Sequence, residues 1–379
     1  MTDAAQLLLM TPGPTRVPAP VLRAGSRPMI HHRTPEFSSQ LAMMLELLPP
    51  LFGTREPVLP VHATGRGALE ATLANLCSPG DEIAVCCNGR FGGLWARIAE
   101  SLGLVVHRIA TDWEHDVDPQ EVDRTLSEHP NVRAVALAHS DTSTGVANDV
   151  GAVAAVARAH DVLVLVDGVS SVGGMPFAFD EWDVDVAVTA SQKCLMSSPG
   201  LSFAVASERA RAASRTARLP RGYWDFEAIR REVTKPKPET PGTPPVHLVL
   251  QVVEALRMIH TEGLASVYRR HDAMARLVRA GAASLGLTLQ CPELHHRSTT
   301  LTGISLPDDL PPDQVRQGLK TRGILTAAGL EHYRDTAFRI GHMGDIRPDD
   351  VTATLDALGA VLQDLRAESA FGARGNRLA

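Results

Sequence analysis

The chain has 379 residues, enough for one large domain and a smaller second one. Its apolar fraction of 44% and charged fraction of 21% are those of an ordinary globular protein. A formal net charge of −6, from 37 basic and 43 acidic residues, argues against a nucleic-acid or anionic-membrane partner and for small molecules.

The first apolar stretch, LLLM at residues 7–10, is interrupted at once by TPGPTRVPAP, so neither a leader peptide nor a spanning helix is expected. A cytoplasmic location follows from that reading. Candidate strands then come in order as EIAVCCN (82–88), AVALAHS (134–140), VLVLVDG (162–168), VDVAVTA (184–190) and LSFAVAS (201–207). Their unbroken apolar character suits strands buried on both faces. Helical patterns alternate with them: GALEATLANL after Gly65, LWARIAESLG from Leu94, PQEVDRTLSEH opened by Asp118 and GAVAAVARAHD capped by Asp149. Alternating strand and helix predicts an α/β chain with a parallel sheet between helical layers.

Residues 215–245 end in KPKPETPGTPP, too Pro-rich for a core element, and read as a loop. The helix VHLVLQVVEALRMIHTEG follows, then RRHDAMARLVRAGAASLG, an extended run near 299–306 and the helix PDDVTATLDALGAVLQDLRAE; FGARGNRLA reads as a frayed end. The expected division is an N-terminal arm over 1–20, a large domain over 21–255 and a small domain over 256–379. Five scattered cysteines, Cys77, Cys86, Cys87, Cys194 and Cys291, show neither disulfide nor metal-ligand spacing, and no metal is expected.

Only four of the 37 basic residues are lysines: Lys193, Lys235, Lys237 and Lys320. Lys193 follows a buried-looking strand, where lost hydration disfavours the charged amine and leaves a nucleophile. Arginine stays protonated and cannot form a Schiff base. A solvated lysine at a strand end is the other reading, and Lys193 alone does not choose between them. Asp167 ends the apolar run VLVLVDG at the carboxyl end of a parallel strand, where open α/β sheets place ligands. A carboxylate there needs a cationic partner, such as a protonated pyridine nitrogen, or serves as a helix cap. Thr64, Gly65 and Arg66 open a helix whose free N–H groups suit a phosphate.

These pieces, with LLLMTPGPTRVPAPVL, HHRTPEF, NGRFGGLW, HSDTSTG, VDGVSSVGG, SQKCLMSSPG, TPGTPP and RIGHMGD, resemble in order and over nearly the whole chain the class V aminotransferases. The nearest group is the alanine/serine–glyoxylate aminotransferases, which depend on pyridoxal 5'-phosphate (PLP). The resemblance implies PLP fold type I: a large domain with a mostly parallel seven-stranded sheet flanked by helices, and a smaller α+β C-terminal domain. It implies that Lys193 forms the internal aldimine and shuttles a proton, that Asp167 holds the pyridinium nitrogen, and that Val169 and Phe91 cover the two ring faces. Thr142 or Ser143 would lie beside the ring. Thr64, Gly65, Arg66 and Gln192 would bind the phosphate, joined by Thr243 from a second subunit, so that a homodimer shares its active sites. Arg339 would grip the substrate carboxylate, and His32, with His31, either lines the entrance or caps a helix.

Three residues depart from the family pattern: Thr240 replaces an aromatic, Arg66 a small residue or histidine, and Phe91 a tryptophan. The implied reaction moves an amino group from alanine or serine to glyoxylate or pyruvate. Pyridoxamine–pyruvate and ureidoglycine–glyoxylate aminotransferases are the alternatives within the family, and a lyase or desulfurase on the same fold lies outside it.

Overall fold

The structure is a computed structural model that describes residues 7–375, with side chains described through residue 368. Seven strands form the central sheet: β1 (Val58–Val61), β2 (Glu82–Cys87), β3 (Val105–Ala110), β4 (Val132–Ala138), β5 (Leu163–Asp167), β6 (Val186–Ala190) and β7 (Ser202–Ala206). They lie in the order β1-β7-β6-β5-β4-β2-β3. Strands β2 to β6 run parallel to one another, while β7 is antiparallel to both β6 and β1. The mostly parallel seven-stranded sheet expected from the sequence is therefore present.

Successive side chains of a strand point to opposite faces, and each face here has its own core. Ala84, Cys86, Val164 and Val166 pack beneath helices α1 (Pro35–Leu47), α4 (Pro119–Glu128), α5 (Val150–Ala159) and α7 (Val246–Glu262). Ile83, Val85, Leu163 and Leu165 pack beneath α2 (Gly65–Leu76), α3 (Arg90–Ser101) and α6 (Phe226–Val233). Both faces of β5 and β6 are covered, which is why these strands read as continuous apolar runs.

Beyond α7 lie α8 (Leu264–Ser284), α9 (Pro312–Thr321) and α10 (Pro348–Gly375). They surround an antiparallel sheet built on Leu301–Ser305 and Ala337–Gly341, with Met274, Phe338, Ile340 and Leu358 in its core. The arm joins this unit: Leu8–Leu9 pairs in parallel with Ile324–Leu325, and Met10 is buried with Phe338 and its neighbours. Helix α7 runs without a break through residues 255 and 256, where the sequence reading divides large from small domain. Among the described residues no helix is long and apolar enough to cross a membrane.

Two expectations are corrected. Residues 215–245 are not loop throughout, because α6 forms within them: Asp225 caps it by accepting from Glu227 and Ala228 N–H, and Phe226, Ile229 and Val233 make its buried face. The C-terminal helix continues to Gly375, into the segment read as frayed; residues 376–379 lie outside the described residues.

Candidate active site

In the parallel pairing of β5 with β6, Asp167 stands opposite Val188 at the carboxyl end of β5. Lys193 follows β6 by three residues, beyond Ala190, at the same sheet edge. Both side chains are buried, and each responds as an ion removed from water does. Desolvation raises the Asp167 carboxyl to about 6, against the pull of one backbone hydrogen bond from Val169 N–H at 2.8 Å and of the nearby Lys193 charge. Desolvation lowers the Lys193 ammonium to about 8, opposed by Asp167. The neutral fraction of the amine near neutrality is therefore larger than that of a solvated lysine.

The arm closes over this lysine. The Lys193 ammonium donates to the Pro12 carbonyl at 2.5 Å, while Thr15 donates through its hydroxyl to Lys193 O and through its N–H to Gln192 O. Gly13 has φ of +96°, and a Cβ there would fall 2.3 Å from Lys193 Cδ. Only glycine leaves the lysine stem this space.

Arg339 enters from the middle of the Ala337–Gly341 strand. Its Nε donates to Ala328 O at 2.8 Å and its Nη1 to Thr142 O at 2.6 Å. Among the described residues Nη2 has no protein partner. Burial lowers its pKa to about 10, countered by Asp141. A buried guanidinium fixed on two sides with one nitrogen free is a site in need of an anion.

Asp141 ties this edge together. Its carboxylate accepts from Phe91 N–H at 3.0 Å, from Ser143 N–H at 2.8 Å and from the Ser143 hydroxyl. It supplies the anionic end cap of α3, whose own N-cap residue, Gly89, has no side chain. Burial nevertheless raises its carboxyl. The Thr142 hydroxyl pairs with Ser170 at 2.5 Å. His139 lies edge-on to Phe177 and Trp182, and burial holds it neutral with a pKa of about 4. On the other side Gly65 packs against Val169: a Cβ at Gly65 would lie 2.7 Å from Val169 Cγ2. That contact brings the start of α2, with its unsatisfied N–H groups, to the same edge.

The folded chain thus brings Lys193, Asp167, Thr142, Ser143, Phe91, Val169, Gly65 and Arg339 to one sheet edge. Thr64 and Arg66 are exposed at the α2 start. His32 and Thr243 share no hydrogen bond or ion pair with the Lys193–Asp167 group among the described residues. The cap of α1 is Thr34, which accepts from Phe37 N–H, so His32 does not cap that helix. His342 bonds Thr302 and the Thr299 carbonyl, a structural role. Cys291 is buried, its thiol pushed up to about 11 and spent on the Glu293 and His296 carbonyls.

The family model for class V aminotransferases matches residues 9–341, an interval that contains Lys193, Asp167 and Arg339. The chain belongs to the class V aminotransferase family. Among sequence relatives, "Soluble hydrogenase, small subunit" of Synechococcus sp. (strain PCC 6716) is 37% identical, covering 96% of this chain and 94% of that protein. The serine–glyoxylate aminotransferase of Methylorubrum extorquens is 34% identical over 93% of this chain and 89% of its own. The solved alanine–glyoxylate aminotransferase from Nostoc sp. superposes with a TM-score of 0.91 at 31% identity, over 95% and 96% of the two chains.

Class V aminotransferases use PLP, and this chain's residues fit it. Among the described residues Asp167 accepts a single hydrogen bond on its side chain and has capacity for a cationic ring nitrogen. The Thr64 hydroxyl caps nothing in α2. Among the described residues Gln192 Oε1 is buried without a partner, and with the amide turned over its NH2 would donate to a phosphate. Asp141, Ser170, Pro12 and Gly13 were not singled out from sequence. A capless helix after Gly89 was the available signal for Asp141.

Proposed function

We propose that this aminotransferase moves an amino group from a small amino acid of the alanine or serine type to a small 2-oxo acid such as glyoxylate or pyruvate. One observation carries the reading: a buried, partly neutral lysine and a buried, under-bonded aspartate share a sheet edge with a buried arginine that has a free nitrogen. When bound, PLP supplies an electron sink for the bond that breaks at the substrate α-carbon. Lys193 would take the proton from that carbon and pass it to the cofactor's C4′, and would move it the opposite way in the reverse half-reaction. Asp167 holds the ring nitrogen in its protonated form. Arg339 binds the carboxylate shared by amino acid and 2-oxo acid, which orients the α-carbon toward Lys193.

Val169 and Phe91 would flank the ring. Thr142 or Ser143 would lie beside it; the Thr142 hydroxyl pairs with Ser170 and the Ser143 hydroxyl with Asp141. The phosphate would meet Thr64, Gly65, Arg66 and Gln192. Thr243 is exposed and remote from its own subunit's lysine in bonding, in keeping with a reach into a second copy. Arg33 pairs with Glu239 at 3.2 Å, which sets the His32 loop beside that same segment. We therefore infer a cytoplasmic homodimer with shared sites, a small domain taken from residue 256, and His32 at the entrance.

A panel of alanine, serine, aspartate and free pyridoxamine against glyoxylate and pyruvate tests the substrate. Fastest turnover with alanine or serine is expected. Turnover with pyridoxamine alone as donor would replace this reading by the pyridoxamine–pyruvate alternative. Borohydride reduction should attach the cofactor to Lys193, and sedimentation should give twice the chain mass.

A further inference from the structure

The amino edge of the central sheet carries a second group of chemistry-bearing side chains, at the opposite end of the strands from Lys193. Glu82 opens β2 and His107 is the third residue of β3. In the parallel pairing Glu82 faces Val105 and Ala84 faces His107, so Glu82 and His107 project from the same sheet face. Helix α4 covers that face through Val122 and Leu126 and delivers His129, its C-cap residue. His107 Nε2 lies 2.7 Å from Glu82 Oε2. The His107 and His129 rings stack with centroids 3.7 Å apart and planes 21° apart. One donor atom of each of the three residues lies within 4.8 Å of the others.

We propose that Glu82, His107 and His129 bind one divalent transition-metal ion of the zinc class. Two imidazole nitrogens and one carboxylate oxygen form a ligand set that such borderline ions prefer over calcium or magnesium. The neighbouring carboxylate is already engaged: Asp81 accepts from Ser78 N–H and pairs with Arg133. Glu82 is left to serve the two histidines. Among the described residues the His129 ring makes no hydrogen bond, so its donor is available. The Glu82 and His107 side chains are 27% and 18% exposed, which admits an ion from solvent and leaves its remaining positions to water.

Donors on a tetrahedral zinc ion stand about 3.3 Å apart, given bonds of about 2.0–2.1 Å. Binding therefore parts Glu82 from His107 by roughly half an ångström and turns the His129 ring out of its stack, movements within the reach of side-chain rotation. Such an ion would clip together β2, the edge strand β3 and the entry to β4. Its ligands come from three separate segments with no short spacing, which is why the sequence offered no metal signature.

The test uses the untagged, PLP-loaded enzyme after dialysis against a chelator, titrated with zinc by calorimetry and with cobalt(II) by visible absorption. One equivalent per chain, with the cobalt bands of a nitrogen–oxygen site and a rise in melting temperature, is expected. His107→Ala and His129→Ala should each weaken binding at least 10-fold with turnover unchanged. Should either fail to fold, His129→Gln at the half-buried helix end replaces it. Absence of stoichiometric binding by the wild-type enzyme, or binding in the double variant within two-fold of wild type, overturns the site.

Discussion

Two buried aspartates stand at opposite edges of neighbouring strands, and their surroundings differ. Asp185, just before β6 at the amino edge, accepts from Val164 N–H at 3.0 Å, the Ser207 hydroxyl at 2.7 Å and Arg209 Nη1 at 3.1 Å. Its side chain is fully buried and its acceptor sites are largely filled. Asp167, at the carboxyl edge of β5, accepts one N–H, from Val169. Burial is the same and bonding is not. The first arrangement closes a structure; the second keeps capacity for a group that arrives later, at the cost of a destabilised charge.

Removing the amine has the largest expected effect. Lys193→Ala should slow single-turnover amino transfer by about 10⁴-fold, with the fold intact by circular dichroism. Asp167→Asn should slow the same step by about 10²–10³-fold, yet stabilise the cofactor-free protein by about 2–3 kcal/mol at pH 7 in urea unfolding. The sign follows from the raised pKa of about 6. The folded protein holds that proton more tightly than the unfolded chain, so its stabilisation is complete below about pH 4 and lost as pH rises through 6. The stability gap between variant and wild type should thus open between pH 4 and 6 and stay constant above. If the gap is already full at pH 4, the contrast with Asp185 fails.

Asp185→Ala should do the reverse. It should lose about 2–3 kcal/mol of stability by stranding Val164 N–H and Arg209, with kcat unchanged. Gly13→Ala, which moves the lysine without removing it, should slow turnover by about 10-fold while the cofactor stays bound. A rate equal to wild type would show that the arm merely covers the site.

The sequence made Asp167 visible because it ends an apolar run, and Lys193 because it is one of only four lysines and follows such a run. Asp141 has no such contrast. Its partners, Phe91 and Ser143, include one 50 residues away, and within HSDTSTG it is one polar residue among several. β1 escaped because it has four residues, and β3 because an edge strand carrying His107 and Arg108 lacks the apolar run of its neighbours. Helix α6 did leave a trace, an Asp cap before apolar residues at 226, 229 and 233, but the proline tract after it dominated the composition of the segment.

The arm that covers Lys193 also spans the molecule. Leu8–Leu9 is hydrogen-bonded beside Ile324–Leu325, Gly341 N–H donates to Met10 O, Pro12 O holds the lysine, and Arg16 reaches Asp350 at 3.2 Å. The short run from Leu8 to Pro12 thus measures the distance between the C-terminal unit and the reacting amine. A protein started a dozen residues downstream would keep both cores of the central sheet, and would have lost Met10 from the C-terminal core together with the gauge that sets its lysine.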